Sequence, residues 1–171
     1  MITPIFLTKK LEKLLSKQIT ITTPLLGNNF GKWNMTIFYI AKKKWLLFTH
    51  SETMFSIVLP NIKLSDLKNI DSLFFNSFHE QLIFEKIDID YAILKELIGN
   101  INFHPTDNDK RTIGVQNSIL ETIKQFKFRY SNFKDISANE LCSRLNHAPY
   151  SFLKWEFPLE KMSDKLKFIK K

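Results

Sequence analysis

The feature that most constrains the fold is a close succession of three β-type runs between residues 33 and 59. Aromatic and β-branched residues dominate all three runs, as they do in strands that pack on a pleated surface. The connections between the runs have the length of hairpin loops, and Pro60 marks the end of the third run. We predict an antiparallel meander of three strands at about 33–41, 45–50 and 54–59.

Helical patterns dominate the rest of the chain. Apolar residues recur at helical spacing, and capping residues or a following glycine mark the ends. Ser137 begins a capping box, and Gly99 ends a helix. The predicted helices lie at about 8–17, 66–85, 90–98, 111–128 and 138–146. Two further segments, 18–23 and 101–104, are candidates for additional strands.

These elements indicate an α+β fold, because a run of strands precedes a run of helices instead of alternating with them. The chain has 171 residues, and no break in composition marks a linker, which predicts a single domain over 1–171. Cys142 is the only cysteine, so no internal disulfide forms. There is no secretory signal and no apolar stretch approaching about 20 residues. We expect a soluble cytoplasmic protein with no membrane attachment.

Several short stretches occur in a suggestive order: TKKL at 8–11, LG at 26–27 before Trp33, WLLFTH at 45–50, VLP at 58–60, RTIGVQNS at 111–118 and LNHAP at 145–149. In this order they resemble a bacterial family of small proteins of unknown function. The resemblance implies a stand-alone cytoplasmic protein, carried in some members on mobile elements, and it implies no catalytic residue. Val115 and Gln116 depart from the family, which often has two small residues in that region.

The net charge of +8 is carried mainly by lysines. Lys9, Lys10 and Lys13 lie near one end of the chain, 42–44 form a turn, and a third group lies between 161 and 171. If these groups converge, they attract phosphate groups, as nucleic-acid-binding proteins do. The alternative is a solubilising surface, since lysine lacks the bidentate geometry with which arginine reads bases and phosphates.

A second candidate site is the polar junction between the strand at 101–104 and the helix at 111–128. Free N–H groups at a helix start hold anions, and Arg111 with Thr112, His104 and Asn117 would assist. The alternative is that Asp107 or Asp109 caps the helix and that the arginine pairs with a nearby carboxylate.

The histidines and aromatic residues carry weaker signals. His50, His79, His104 and His147 lack the spacings of metal ligands, and with one cysteine we expect neither a metal nor another cofactor. His50 stands beside a serine and a glutamate, but neighbours on a strand point to opposite faces. A set of aromatic residues either forms a stacking platform for single strands or fills the core: Trp33, Phe38, Tyr39, Trp45, Phe48 and Phe55.

The leading hypothesis is a non-catalytic binding or regulatory module that recognises a polyanion, such as nucleic acid, or a protein partner. The alternative is a small enzyme that acts on an anionic or phosphorylated substrate at 104–118, which requires His104, Arg111, His50 and Asn117 to share one pocket. A third hypothesis is self-association, or a role in a toxin–antitoxin or mobile-element system.

Overall fold

A five-stranded mixed sheet organises the structure, a computed structural model that describes residues 2–21, 30–129 and 136–169. The order of the strands across the sheet is β4-β3-β2-β1-β5. Helices cover both faces of the sheet, so the α+β class is confirmed. The strands are β1 (Ile2–Leu7), β2 (Trp33–Ile40), β3 (Lys43–His50), β4 (Ser56–Ile62) and β5 (Asn100–His104).

The predicted meander is present as β2, β3 and β4. Strands β2 and β3 pair antiparallel from Trp33 opposite His50 to Ile40 opposite Lys43. The hairpin turns at Ala41 and Lys42, whose φ angles of 49° and 63° match the two-residue turn that suits the twist of paired strands. The turn is therefore shorter than predicted, and Lys43 and Lys44 belong to β3.

The prediction that Pro60 ends the third strand is wrong, because β4 continues through it to Ile62. Strand β4 lies at the edge of the sheet, where a residue without an N–H group is tolerated. The register shifts between Lys44 and Leu46, and Asn61 has a φ of 55°. This irregularity is a bulge that accommodates Pro60 within the strand.

Strand β1, which no local pattern predicted, lies between β2 and β5 and is parallel to both. It contains Pro4, and a proline usually indicates against an inner strand. The candidate strand at 101–104 is confirmed as β5. The candidate at 18–23 is wrong for its described part, where Ile19 makes one isolated bridge to Phe103, and positions 22 and 23 lie outside the described residues.

The predicted helices are all present, with ends that differ by a few residues. Asp90 caps the third through the N–H groups of Ala92 and Ile93, and Gly99 follows it with a φ of 64°. None of the described helices combines the length and apolar character that crossing a membrane requires. The helices are α1 (Lys9–Leu14), α2 (Ile70–Phe84), α3 (Tyr91–Ile98), α4 (Lys110–Arg129), α5 (Ala138–Asn146) and α6 (Pro158–Ile169), with short 3-10 turns at Asp66–Asn69 and Ser151–Leu153.

Two apolar cores lie on opposite faces of the sheet. On face one, which α1, α2, α3 and α6 cover, the Trp33 ring lies 5.0 Å from Phe74 and 5.2 Å from Phe78 between ring centroids. On face two, α4 and α5 pack against β3 and β4. Cys142 is buried there, its Sγ accepts the N–H of Val58, and burial raises its pKa to about 12. The thiol is therefore a packing residue.

Asn146 closes part of the outer edge of β4 with its side-chain amide. Its Oδ1 accepts the N–H of Ser56 at 2.7 Å, and its Nδ2 donates to the carbonyl of Ser56 at 3.0 Å. The side chain thus supplies the two hydrogen bonds that another strand would make there. Because Asn146 is fully buried, this contact also joins α5 to the sheet without exposing a polar group to an apolar core.

We predict that Asn146→Ala lowers the free energy of unfolding by about 2–4 kcal/mol, because two buried backbone groups lose their partners. Urea denaturation at neutral pH measures the change. Asn117→Ala, at an exposed asparagine on α4, is the matched control and should change stability by less than about 0.5 kcal/mol. Equal stability of the two variants would contradict the role given to Asn146.

Candidate functional site

The junction between β5 and α4 is built on a row of three paired residues. Phe6 pairs in register with His104 on one side and with Asn34 on the other. Their neighbours Ile5, Trp33 and Phe103 belong to the core of face one. Because side chains alternate along strands, the row itself lies on face two, under the loop 105–109 that leads to α4.

The first turn of α4 is capped by the chain's own carboxylate. Oδ1 of Asp109 accepts the N–H groups of Arg111 and Thr112 at 3.1 and 3.3 Å. The hydroxyl of Thr112, which is fully buried, donates to Oδ2 of Asp109 at 2.9 Å. These N–H groups are therefore already bonded to Asp109 and are unavailable to an external anion. The helix is capped by an aspartate, as the alternative to an anion site predicted.

Lys32 balances the charge of this loop. Its ammonium group bonds to Asp107 and lies 3.3 Å from Asp109, and Nδ2 of Asn34 donates to Asp107 at 3.0 Å. Burial alone would lower the pKa of Lys32, but the two carboxylates outweigh it and raise that pKa. Burial likewise opposes ionisation of Asp109, but hydrogen bonds from Thr112 and the charge of Lys32 lower its pKa. These contacts hold the loop against the start of β2, and they leave the ammonium group of Lys32 paired with carboxylates instead of open to a phosphate.

Arg111 also has an internal partner. Its Nη2 donates to the carbonyl oxygen of Ser51 at 2.8 Å, so the arginine holds the start of α4 against the end of β3. The prediction that Arg111 pairs with a nearby carboxylate is therefore replaced by a hydrogen bond to a backbone carbonyl. Nearby, Glu12 of α1 accepts the N–H of Thr106 at 2.9 Å and fastens the loop from the other side.

Asn34, which the sequence patterns did not single out, and Gln116 are buried polar residues. Nε2 of Gln116 donates to the carbonyl of Asn34 at 2.8 Å. Oδ1 of Asn34, Oε1 of Gln116 and Nε2 of His104 have no hydrogen-bond partner among the described residues. Of the two positions that depart from the resembled family, Val115 lies in the core of face two and Gln116 bonds to the backbone of β2.

His50 lies on the opposite face of the sheet and is fully buried. Its Nδ1 accepts the N–H of Thr53 at 3.2 Å, so Nε2 carries the proton and donates to the carbonyl of Phe30 at 2.7 Å. Burial lowers the pKa of His50 to about 4. The imidazole is neutral and is held by hydrogen bonds in the core, beside Trp33 at 5.1 Å between ring centroids.

Gly31 explains how the backbone passes so close to this imidazole. A Cβ atom at Gly31 would lie 3.0 Å from Nε2 of His50 and 2.8 Å from Oε1 of Glu52. Its φ of +97° is also a conformation that favours glycine. The backbone at Gly31 can therefore lie this close to His50 only because glycine has no Cβ atom.

The residues of the enzyme hypothesis do not gather in one cleft. His50 lies on face one, whereas His104 and the start of α4 lie on face two. Asn117 is exposed and lines a cavity with Phe38 at the far end of β2. Within 2–21, 30–129 and 136–169, no three histidine, cysteine, aspartate or glutamate side chains are grouped as metal ligands.

Lysines from α1 and from the β2–β3 hairpin do come together. Nζ of Lys10 lies 4.5 Å from the centroid of the Tyr39 ring, and Tyr39 pairs across the strands with Lys44. Tyr39 is 47% exposed. Lys9 and Lys13 are exposed on α1 at spacings that place them beside each other or beside Lys10. We define the hairpin face as Lys9, Lys10, Lys13, Tyr39, Lys42, Lys43 and Lys44; Lys43, which pairs with Ile40, extends from the other side of the hairpin next to its turn.

The lysines of the hairpin face have no ion pair with any residue that the structure describes, whereas those of α6 do. Lys161 pairs with Glu156, Lys165 with Glu52, and Lys167 with Asp164. The described lysines of the third group are therefore paired with carboxylates, and positions 170 and 171 lie outside the described residues. Other described lysines without an ion pair, such as Lys63 and Lys95, occur elsewhere, but the hairpin face brings several of them close together.

A protein-family model described as a domain of unknown function, DUF6933, matches residues 4–161. The matched region contains all the short stretches that carried the resemblance. No curated protein matches the chain. The family description assigns no activity, and it therefore identifies no catalytic or binding residue.

We predict that the free energy of unfolding falls as the pH drops from about 6.5 to about 4. The pKa of His50 is about 4 in the fold and about 6.5 in an unfolded chain, so the unfolded state binds more protons between these values. The loss from this group is about 3 kcal/mol, and it is absent above pH 6.5. His104, whose pKa burial also lowers, adds a loss of the same sign.

Urea denaturation across this pH range measures the effect. In His50→Gln, which has no group titrating at this position, the dependence of stability on pH should be weaker than in the natural chain. The same dependence in both proteins would contradict the assignment to His50.

Proposed function

We propose that this chain, which belongs to the DUF6933 family, is a non-catalytic module that binds nucleic acid as a polyanion through its hairpin face. The observation that carries the proposal is the convergence of the lysines of α1 with those of the β2–β3 hairpin around Tyr39. Neither group alone distinguishes a binding surface from an ordinary solubilising one.

The electrostatics of this face support the proposal. A lysine that already pairs with a carboxylate gains little from a phosphate, because binding must first break the existing pair. The described part of the chain offers the hairpin lysines no such pair, so a phosphate backbone would release its condensed counterions there. The expected binding is strong at low salt and weak at high salt.

The residue types indicate how selective the binding would be. Lysine is a point charge on a flexible stem, and it contacts phosphate without the bidentate geometry that reads a base. Arg111 lies outside the hairpin face and bonds to Ser51. We therefore expect affinity for the backbone with little dependence on base sequence.

The test compares two double variants that remove the same charge. Lys10→Gln with Lys44→Gln changes the hairpin face, and Lys161→Gln with Lys167→Gln changes two lysines of α6 that pair with carboxylates. Fluorescence anisotropy with a labelled single-stranded oligonucleotide measures affinity at several salt concentrations. The hairpin variant should bind about 10- to 30-fold more weakly at about 0.1 M salt, with a salt slope reduced by about 1–2.

The α6 variant should keep the affinity of the natural chain within about threefold, since its lysines make no new contacts on binding. Thermal unfolding confirms that both variants are folded. Equal losses in the two variants would show that net charge alone attracts the nucleic acid. Absence of binding at low salt would refute the proposal and would favour a protein partner for this face.

A further inference from the structure

A small cavity adjoins the hairpin face on the other side of β2. Its volume is about 290 Å3, and it lies between the end of β2 and the exposed side of α4. Phe38 and Ile40 point to face two, where the cavity lies, whereas Tyr39 between them points to face one beside Lys10, so the cavity and the hairpin face adjoin at the turn of the hairpin. The other principal lining residues are Phe38, Ile40, Asn117, Leu120 and Ile123.

The lining is mainly apolar, with one uncommitted amide and the ion pair of Glu121 with Lys124. Phe38 is half-buried and packs against Trp45, with ring centroids 6.0 Å apart. Asn117 is exposed, and its amide can both donate and accept hydrogen bonds. Lys124 is also in the lining but pairs with Glu121 at 2.6 Å, so that charge is locally balanced. This chemistry suits a planar, weakly polar ring better than a phosphate.

The position of the cavity connects it to the lysines. Ile40 in its lining pairs across the strands with Lys43, and Ala41 and Lys42 form the turn between them. A ligand seated in the cavity would therefore leave it directly beside Lys42 and Lys43. A ring joined to a chain of phosphates matches both parts of this surface.

We infer that the cavity receives one unstacked base of a single-stranded nucleic acid whose phosphates pass Lys42 and Lys43 at the turn of the hairpin and continue along the hairpin face. This inference rests on the proposed function and makes it more specific. The volume of about 290 Å3 is just below the usual range for ligand pockets, about 300–1,000 Å3, which suits a single base. A duplex would have to unstack and unpair a base to fill the cavity, so single strands are preferred.

The experiment uses the full chain and three labelled probes of one length: a thymidine oligonucleotide, an oligonucleotide of abasic sites, and a duplex. Fluorescence anisotropy at low salt measures each affinity. The natural chain should bind the thymidine strand about tenfold more tightly than the abasic strand, because the base adds stacking to backbone contacts. It should also bind this strand more tightly than the duplex.

Two variants assign the difference to the cavity. Asn117→Leu removes the amide and narrows the cavity, and it should lower affinity for the thymidine strand about tenfold towards that of the abasic strand. Affinity for the abasic strand should not change. Ser118→Leu is the matched control, since Ser118 is exposed on the same helix but does not line the cavity, and it should bind like the natural chain.

The outcomes separate the two proposals. Equal affinity of the natural chain for the thymidine and abasic strands overturns the base site while leaving backbone binding intact. A base preference that Asn117→Leu retains also overturns the assignment to this cavity. Absence of binding to every probe refutes the proposed function and the base site together.

Discussion

Burial of both faces of the sheet is the constraint on which the rest of the structure depends. Face one packs against four helices and face two against α4 and α5, so most residues of the strands are buried. Charged side chains must then lie on the outer sides of helices and at the ends of strands. The outer side of α1 and the tip of the β2–β3 hairpin meet this condition, and they adjoin each other at Lys10 and Tyr39.

The same constraint explains why several of the short stretches that carry the family resemblance have structural roles. The stretch at 45–50 ends in His50, which is buried and hydrogen-bonded to Phe30 and Thr53. The stretch at 145–149 contains Asn146, which bonds to Ser56 at the edge of the sheet. A buried polar side chain needs partners of fixed geometry, so such positions specify the packing of the fold.

Local patterns predicted the elements that local chemistry determines. The meander, the helix that Asp90 caps and the helix that Ser137 caps follow from alternation, helical spacing and capping residues. Strand β1 was missed because its partner β5 is distant in sequence and because Pro4 indicates against an inner strand. The continuation of β4 past Pro60 was missed because a sequence does not show which strand will lie at an edge.

The candidate sites divide in the same way. The sequence left open whether Asp107, Asp109 or an external anion would occupy the start of α4, and the hydrogen bonds of Asp109 show capping. It could not show that Lys32 neutralises the carboxylates of this loop. Lys32 and Asp107 are far apart in sequence, and only the pairing of the strands brings them together. Nor could it show which lysines converge, because the contact of Lys10 with Tyr39 depends on how α1 packs beside β2.

The most direct measurement of the central claim is a nuclear magnetic resonance titration of the isotope-labelled chain with a short single-stranded oligonucleotide. Resonances of Lys10, Tyr39 and Lys44 should shift progressively and saturate, while those of Lys161 and Lys167 on α6 stay unchanged. Shifts confined to α6 or to the loop around His104 and Arg111, with the hairpin face unaffected, would contradict the account.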